Sequence, residues 1–184
     1  MRARGKDRPV SYSGSLLLAH PGLRDPNFRR TVVLMTTHGA DGAMGIVLNR
    51  PLGKKLGELG DDFAAGALAS VPLFKGGPVQ IEQLIIAAWR SHESGFQLHL
   101  GIEPDKAAQF LGGDGMFVRA FFGYSGWTAG QLENELKQHT WIVAPPPPDL
   151  FTREADDGLW RKVLIGQGAE WRLPAEEPDE AGEN

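Results

Sequence analysis

The stretch over residues 116–141, MFVRAFFGYSGWTAGQLENELKQHTW, constrains the fold most. Phe117, Val118, Ala120, Phe121 and Phe122 are apolar at successive positions, interrupted only by Arg119. Such a run reads as a strand covered on both faces. Gly123 and Gly126 bracket what reads as a tight turn, where backbone freedom or close approach is needed. A helix is then announced by several signals at once. Thr128 and Gln131 have the spacing of a capping box, and Trp127 and Leu132 that of a hydrophobic staple. Leu132 and Leu136 share a face, and Glu133 and Lys137 stand in the favoured order for an exposed pair. Strand, glycine turn, helix and the start of a new strand at Trp141 are therefore expected in succession.

The 184 residues are enough for one ordinary domain, and 41% hydrophobic residues supply a core without cross-links. There is no cysteine. Disulfides, thiolate metal sites and thiol chemistry are excluded, and a reducing compartment fits. Arg2, Arg4, Lys6 and Arg8 resemble the basic start of a signal peptide. The apolar run that follows, at residues 16–19, is too short for a signal core or a membrane span. A cytoplasmic protein with no membrane partner is expected. Charge is unevenly divided. Residues 1–55 hold ten Lys/Arg against three Asp/Glu, or +7; the rest hold nine against twenty, or −11, which together give −4.

Three regions are expected: a flexible basic tail over 1–12, one domain over 13–173 and a disordered acidic tail over 174–184. Within the domain, short strands are expected over 15–20, 31–38 and 43–49. The last two form a hairpin across the longer loop 39–42, and Pro51 ends its second strand. Leu52, Leu56 and Leu59 are spaced for a short helix. Residues 61–70, rich in alanine and glycine, fit no pattern. A strand over 71–75 runs into Gly76-Gly77-Pro78, and strands over 84–89 and 96–100 pair. Pro104 opens a helix that Gly112 caps. Pro145 to Pro148 form an extended connector. Leu159, Trp160, Val163 and Leu164 mark the apolar face of a last helix.

The motif GYSGWTAGQLENEL resembles the bacterial YqgE/AlgH family. So do GSLLLAHPGLRDPNFRRTVVLMTTHGADGAMGIVLNRPL, which starts at Gly14, the segment FKGGPV from Phe74, and the strand at Trp141. The likeness runs from about residue 14 to about residue 165. It implies a compact domain with a bent sheet forming a pseudo-barrel, and a label as a transcriptional regulator. The expected fold is accordingly α+β: a bent, mostly antiparallel sheet closing into a pseudo-barrel, with helices packed outside.

Ser125 lies between a strand and a helix, where α/β-hydrolases place their nucleophile. Gly123-Tyr124-Ser125-Gly126-Trp127 nevertheless departs from that elbow, because Trp127 stands where close strand–helix packing needs glycine. The resemblance also implies alanine as the usual residue at Ser125, so turn chemistry outweighs catalysis there. His20, His38, His92, His99 and His139 form no metal-binding spacing, and none has a carboxylate partner evident from spacing. No catalytic residue, metal or cofactor is assigned. Two polar tips remain. Lys75, Gly76 and Gly77 offer backbone amides for an anion, though without phosphate-loop spacing. Asn49 and Arg50, with Arg30 at the other end of the hairpin, offer guanidinium groups suited to carboxylate or phosphate. Arg24, Arg29, Lys54 and Lys55 flank the same hairpin. Neutralisation of this cluster by acids from the second half is favoured over a free anion site. The expected function is a non-enzymatic regulatory or interaction module whose partner is a protein or a small anion. A hydrolase or small-anion-binding protein is the alternative, and a DNA-binding regulator a third reading. The last lacks a helix-turn-helix or an aromatic–basic signature, and the pI is about 5.7.

Overall fold

The computed structural model describes residues 9–113, 116–151, 156 and 158–178. The expected basic tail lies outside the described residues over 1–8, and the acidic tail over 179–184. Among the described residues nine strands form one sheet: β1 (Leu16–Ala19), β2 (Val32–Gly39), β3 (Gly42–Val47), β4 (Pro51–Lys55), β5 (Pro72–Lys75), β6 (Val79–His92), β7 (Gly95–Leu100), β8 (Met116–Thr128) and β9 (Trp141–Ala144). The main path runs β4-β5-β8-β3-β2-β1-β9, with β6 on β8 and β7 on β6. Every pairing is antiparallel except that of β5 with β8. The fold is α+β, a mixed sheet curled into a half-barrel. Its helices are α1 (Asp61–Ala64), α2 (Pro104–Leu111), α3 (Gln131–Lys137), α4 (Gly158–Ile165) and α5 (Arg172–Glu176).

The period-two alternation of strands sorts side chains onto two faces. Leu16, Leu18, Val32, Leu34, Ile46 and Leu48 join Phe74, Ile85, Trp89 and Phe121 in one core. These residues come from both arms of the bent sheet, so this is its concave face. α4 closes it with Leu159, Trp160, Val163 and Leu164, and Trp160 Nε1 donates to Ala19 O at 2.9 Å. The intervening residues Leu17, Val33, Met35 and Val47 pack with Trp127, Trp141 and Leu132 of α3. On the other arm, Leu73, Ile86, Ala88, Val118 and Ala120 pack with Leu56 and with Ala107 of α2.

The expected turn at 123–126 is absent. β8 continues through it and changes partners instead, leaving β5 after Phe122 and β6 after Tyr124 and joining β3 at Ser125. Gly123, at φ 71°, is where the strand bends; a Cβ there would lie 2.6 Å from Gly77 O. A glycine in an apolar run marks a sheet corner as readily as a turn. Half of the capping box forms, with Thr128 N–H donating to Gln131 Oε1 at 3.0 Å, but the helix starts after Gly130. Residues 39–42 form a two-residue hairpin turn rather than a longer loop, because Gly39 pairs directly with Gly42. Pro51 opens β4 instead of ending the preceding strand. The helix expected from Leu52, Leu56 and Leu59 is β4 followed by a 3₁₀ turn over Leu56–Leu59. Gly53, at φ 67°, and pairing with β5 override the weak period. The unplaced residues 61–70 hold α1 and a second 3₁₀ turn, Ala67–Ser70. α5 carries regular structure past the expected boundary at 173, with Ala175 fully buried.

Candidate functional site

The two polar tips have different fates. Lys75 donates its N–H to Arg50 O at 2.8 Å and Gly76 donates to Phe122 O at 2.7 Å. Gly76 O accepts from Val47 N–H at 2.9 Å and from Ser125 Oγ at 3.3 Å. A Cβ on Gly77 would lie 2.2 Å from Tyr124 C and O. The segments at 49–50, 75–77 and 124–126 therefore do meet, but as an interlocked backbone joint. The Gly76 amide proposed to face an anion is engaged within the sheet, and Gly76 and Gly77 are buried. Ser125 is fully buried in the same joint.

The second tip gathers side chains. Asp25 and Asn27 form a local turn, with Asn27 N–H donating to Asp25 Oδ1 at 2.8 Å. The chain then reaches Arg30 with φ at 53°, a left-handed conformation that costs a non-glycine residue about 1–3 kcal/mol. Asn49 holds it there. Its side chain is fully buried, its Nδ2 donates to Arg30 O at 2.8 Å, and its Oδ1 accepts from Val32 N–H at 2.9 Å. Asn49 is thus a positioning residue beneath the surface rather than a contact on it. Arg50 Nη2 donates to Arg29 O and ties the end of one strand to the start of the other.

Above this clamp, Pro26, Arg29, Arg30, Arg50, Gly158, Trp160 and Arg161 line a recess of about 570 Å³. The Arg30 guanidinium stands 5.1 Å over the Trp160 ring and donates to Glu177 O. Arg161 Nε donates to Ala175 O at 3.1 Å. Four arginines, whose guanidinium groups are planar forks of five donors, line one concavity. Arg30 and Arg50 were expected at such a site; Lys75, Gly76, Gly77, Lys54 and Lys55 are not part of its lining. Arg161 was missed. In sequence α4 shows only its apolar face, and nothing there signals that it lies against the loop at residue 30.

A larger recess of about 840 Å³ opens at the mouth of the half-barrel, between the prolines 145–148, Met35, Met44, Phe96 and Phe151. Beneath it the Arg119 guanidinium lies 5.1 Å from the Phe74 and Trp89 rings, and burial lowers its pKa to about 10. It remains charged at neutral pH. His38 has a carboxylate partner that spacing could not reveal, 95 positions away: its Nε2 is 2.6 Å from Glu133 Oε1, and that hydrogen bond holds Glu133 below the usual carboxylate range. Among the described residues no group of three or more His, Cys, Asp or Glu could hold a metal ion. No helix among them is long and apolar enough to cross a membrane.

The family described as AlgH-like matches residues 16–172. A UPF0301 protein of Streptomyces coelicolor is 34% identical over 98% of this chain and 99% of its own. One of Chlorobium limicola is 35% identical over 93% and 95%. The solution structure of the AlgH protein from Pseudomonas aeruginosa superposes with a TM-score of 0.68 at 27% identity, covering 97% of this chain and all of that one. A crystal structure of protein DIP2367 from Corynebacterium diphtheriae, at 20% identity, shares the fold with a TM-score of 0.69 over 94% of each chain.

Proposed function

The chain belongs to the AlgH-like family, and from that premise we propose that it is a non-enzymatic regulatory or interaction module that engages an anionic partner at the arginine recess. The observation that carries this reading is the convergence of Arg29, Arg30, Arg50 and Arg161 on one concavity, on a loop held in a left-handed conformation by a buried amide. A strained backbone kept in place beneath a charged surface is a feature of ligand clamps. The hydrolase reading loses its best nucleophile, because the Ser125 hydroxyl is buried and donates to a backbone carbonyl. The absence of cysteine agrees with work in the cytoplasm. Guanidinium forks fit phosphate and carboxylate alike, so nucleic acid is one test ligand among several.

The experiment is a titration with a fluorescent duplex oligonucleotide and with pyrophosphate, at low and moderate salt. The wild type is compared with Arg30→Gly/Arg50→Ala. Glycine at position 30 accepts the left-handed backbone, so the fold should change by less than ~1 kcal/mol there while the charge is removed. Binding of at least one probe, weakening steeply with salt and lost in the double variant, is expected. No binding of either probe at low salt, or binding indifferent to the variant, overturns the recess as the site.

A further inference from the structure

The fold finds acceptors for its buried indoles, with one exception. Trp127 and Trp141 donate from Nε1 to the same Glu135 oxygen at 2.9 and 2.8 Å, and Trp160 donates to Ala19 O. Trp89 is 1% exposed, and its Nε1–H is the one buried side-chain donor without an acceptor among the described residues. An unmet buried donor is costly and calls for a reason. The ring cannot swing away to find a partner. Phe151 packs against it with centroids 4.5 Å apart, and the Arg119 guanidinium stands 5.1 Å from it. Trp89 lines a cavity of about 10 Å³, roughly the room that a single water occupies. Thr36, Leu98 and Leu100 line both this cavity and the 840 Å³ recess at the mouth of the half-barrel, so the two adjoin.

We propose that the mouth of the half-barrel is a small-molecule site for a neutral aromatic compound, whose carbonyl oxygen enters the inner cavity and accepts from Trp89 Nε1. A largely apolar recess of this size with one placed donor matches the build of small-molecule sites. Water suits the inner cavity poorly. A buried water needs roughly two to four polar partners, but the Thr36 hydroxyl already donates to Met44 O at 3.0 Å and the other walls besides Trp89 are apolar. A carboxylate suits it poorly too, because a single neutral N–H does not offset the burial of a charge. Arg119 is no counter-ion in waiting, since Phe151 O and the Phe74 and Trp89 rings already engage it. A neutral carbonyl oxygen needs only the one donor. The outer recess then sets the body of the ligand: Met35, Met44, Phe96 and Phe151 offer sulfur and ring contacts that favour an aromatic group. No described residue lines both this recess and that of the arginines, so the two sites stand or fall separately.

The test uses the full-length protein and two probes of one shape: 2-acetylnaphthalene, and 2-isopropenylnaphthalene, in which a CH₂ replaces the carbonyl oxygen. The reporter is the Trp89 indole N–H resonance, assigned by its loss in Trp89→Phe. The ketone should move this resonance downfield, saturably, as the N–H gains an acceptor. The alkene should bind without the downfield shift. Trp89→Phe keeps the ring and removes the donor, so the ratio of ketone to alkene affinity should fall about ten-fold in it, the loss expected for one hydrogen bond to a buried partner. Should that variant not fold, the contrast between the two probes at the wild-type Trp89 resonance decides alone. Arg30→Gly/Arg50→Ala should bind the ketone as wild type does. No saturable shift with the ketone, an equal downfield shift with the alkene, or an affinity ratio unchanged in Trp89→Phe overturns the site. So does loss of ketone binding in the arginine variant, which would place the probe in the other recess.

Discussion

The glycine joint and the arginine recess lie at the two sides of residues 49 and 50, yet they use polarity in opposite ways. In the joint, Gly76, Gly77 and Ser125 turn their polar atoms inward, and backbone meets backbone at distances only glycine permits. In the recess, the buried amide of Asn49 satisfies the local backbone, and the arginines above it line a concavity. The difference shows that a glycine-rich tip and an arginine-rich tip, both legible as anion sites in a sequence, diverge according to whether their donors are needed by the sheet.

Variants can break this contrast at either end. Gly77→Ala should have the largest effect, since its Cβ would lie 2.2 Å from the Tyr124 backbone, which cannot yield without opening β8. A loss of more than ~4 kcal/mol, or no soluble folded protein, is expected in urea melts; a near-wild-type melt would mean that the joint is loose. Asn49→Ala strips a buried N–H and a buried C=O of their partners and should cost about 2–4 kcal/mol. It should also weaken anion binding through displaced Arg30, which a purely structural residue elsewhere in the core would not do. Ser125→Ala, in contrast, removes one long hydrogen bond and should change stability by less than ~1 kcal/mol, with anion binding unaltered. Glu133→Gln, outside both regions, sets the baseline. Because its pKa is lowered by His38, Glu133 contributes stability above the unfolded carboxylate value and loses it as pH falls through the folded value. The variant should flatten the acid limb of a pH–stability curve slightly and leave pyrophosphate affinity at neutral pH untouched.

Strands with clean alternation or continuous apolar runs were legible before the structure: 16–19, 32–39, 72–75 and the pairing of β6 with β7. So were the helices opened by Pro104 and closed on Trp160. The failures have a common physical origin. Gly123, Gly53 and the pair at 39 and 42 each admit more than one backbone path, and long-range pairing chooses among them. At the site, Arg30 and Arg50 were visible because the two ends of a hairpin lie side by side. Arg161 was invisible because its approach depends on α4 crossing the concave face, where Trp160 and Ala19 meet from 141 positions apart in the chain. Asn49 was visible as a polar residue, but its burial was not, since one exposed and one buried asparagine look alike in a sequence.

The pairing of β1 with β9 carries a consequence for how the molecule is made. Leu16 to Ala19 are completely inaccessible in the finished fold, yet they lie against residues 141–144 and beneath the Trp160 indole. On a ribosome working from the amino end, that apolar tetrapeptide emerges long before its covering strand exists. It has β2 for a partner on one edge and nothing on the other until most of the chain is synthesised. Closing such a distant pair adds loop entropy to the barrier and slows folding relative to a chain of local contacts. Newly made copies therefore present a bare, hydrophobic strand edge during synthesis, the kind of surface that chaperones bind and that crowded nascent chains stick to each other through.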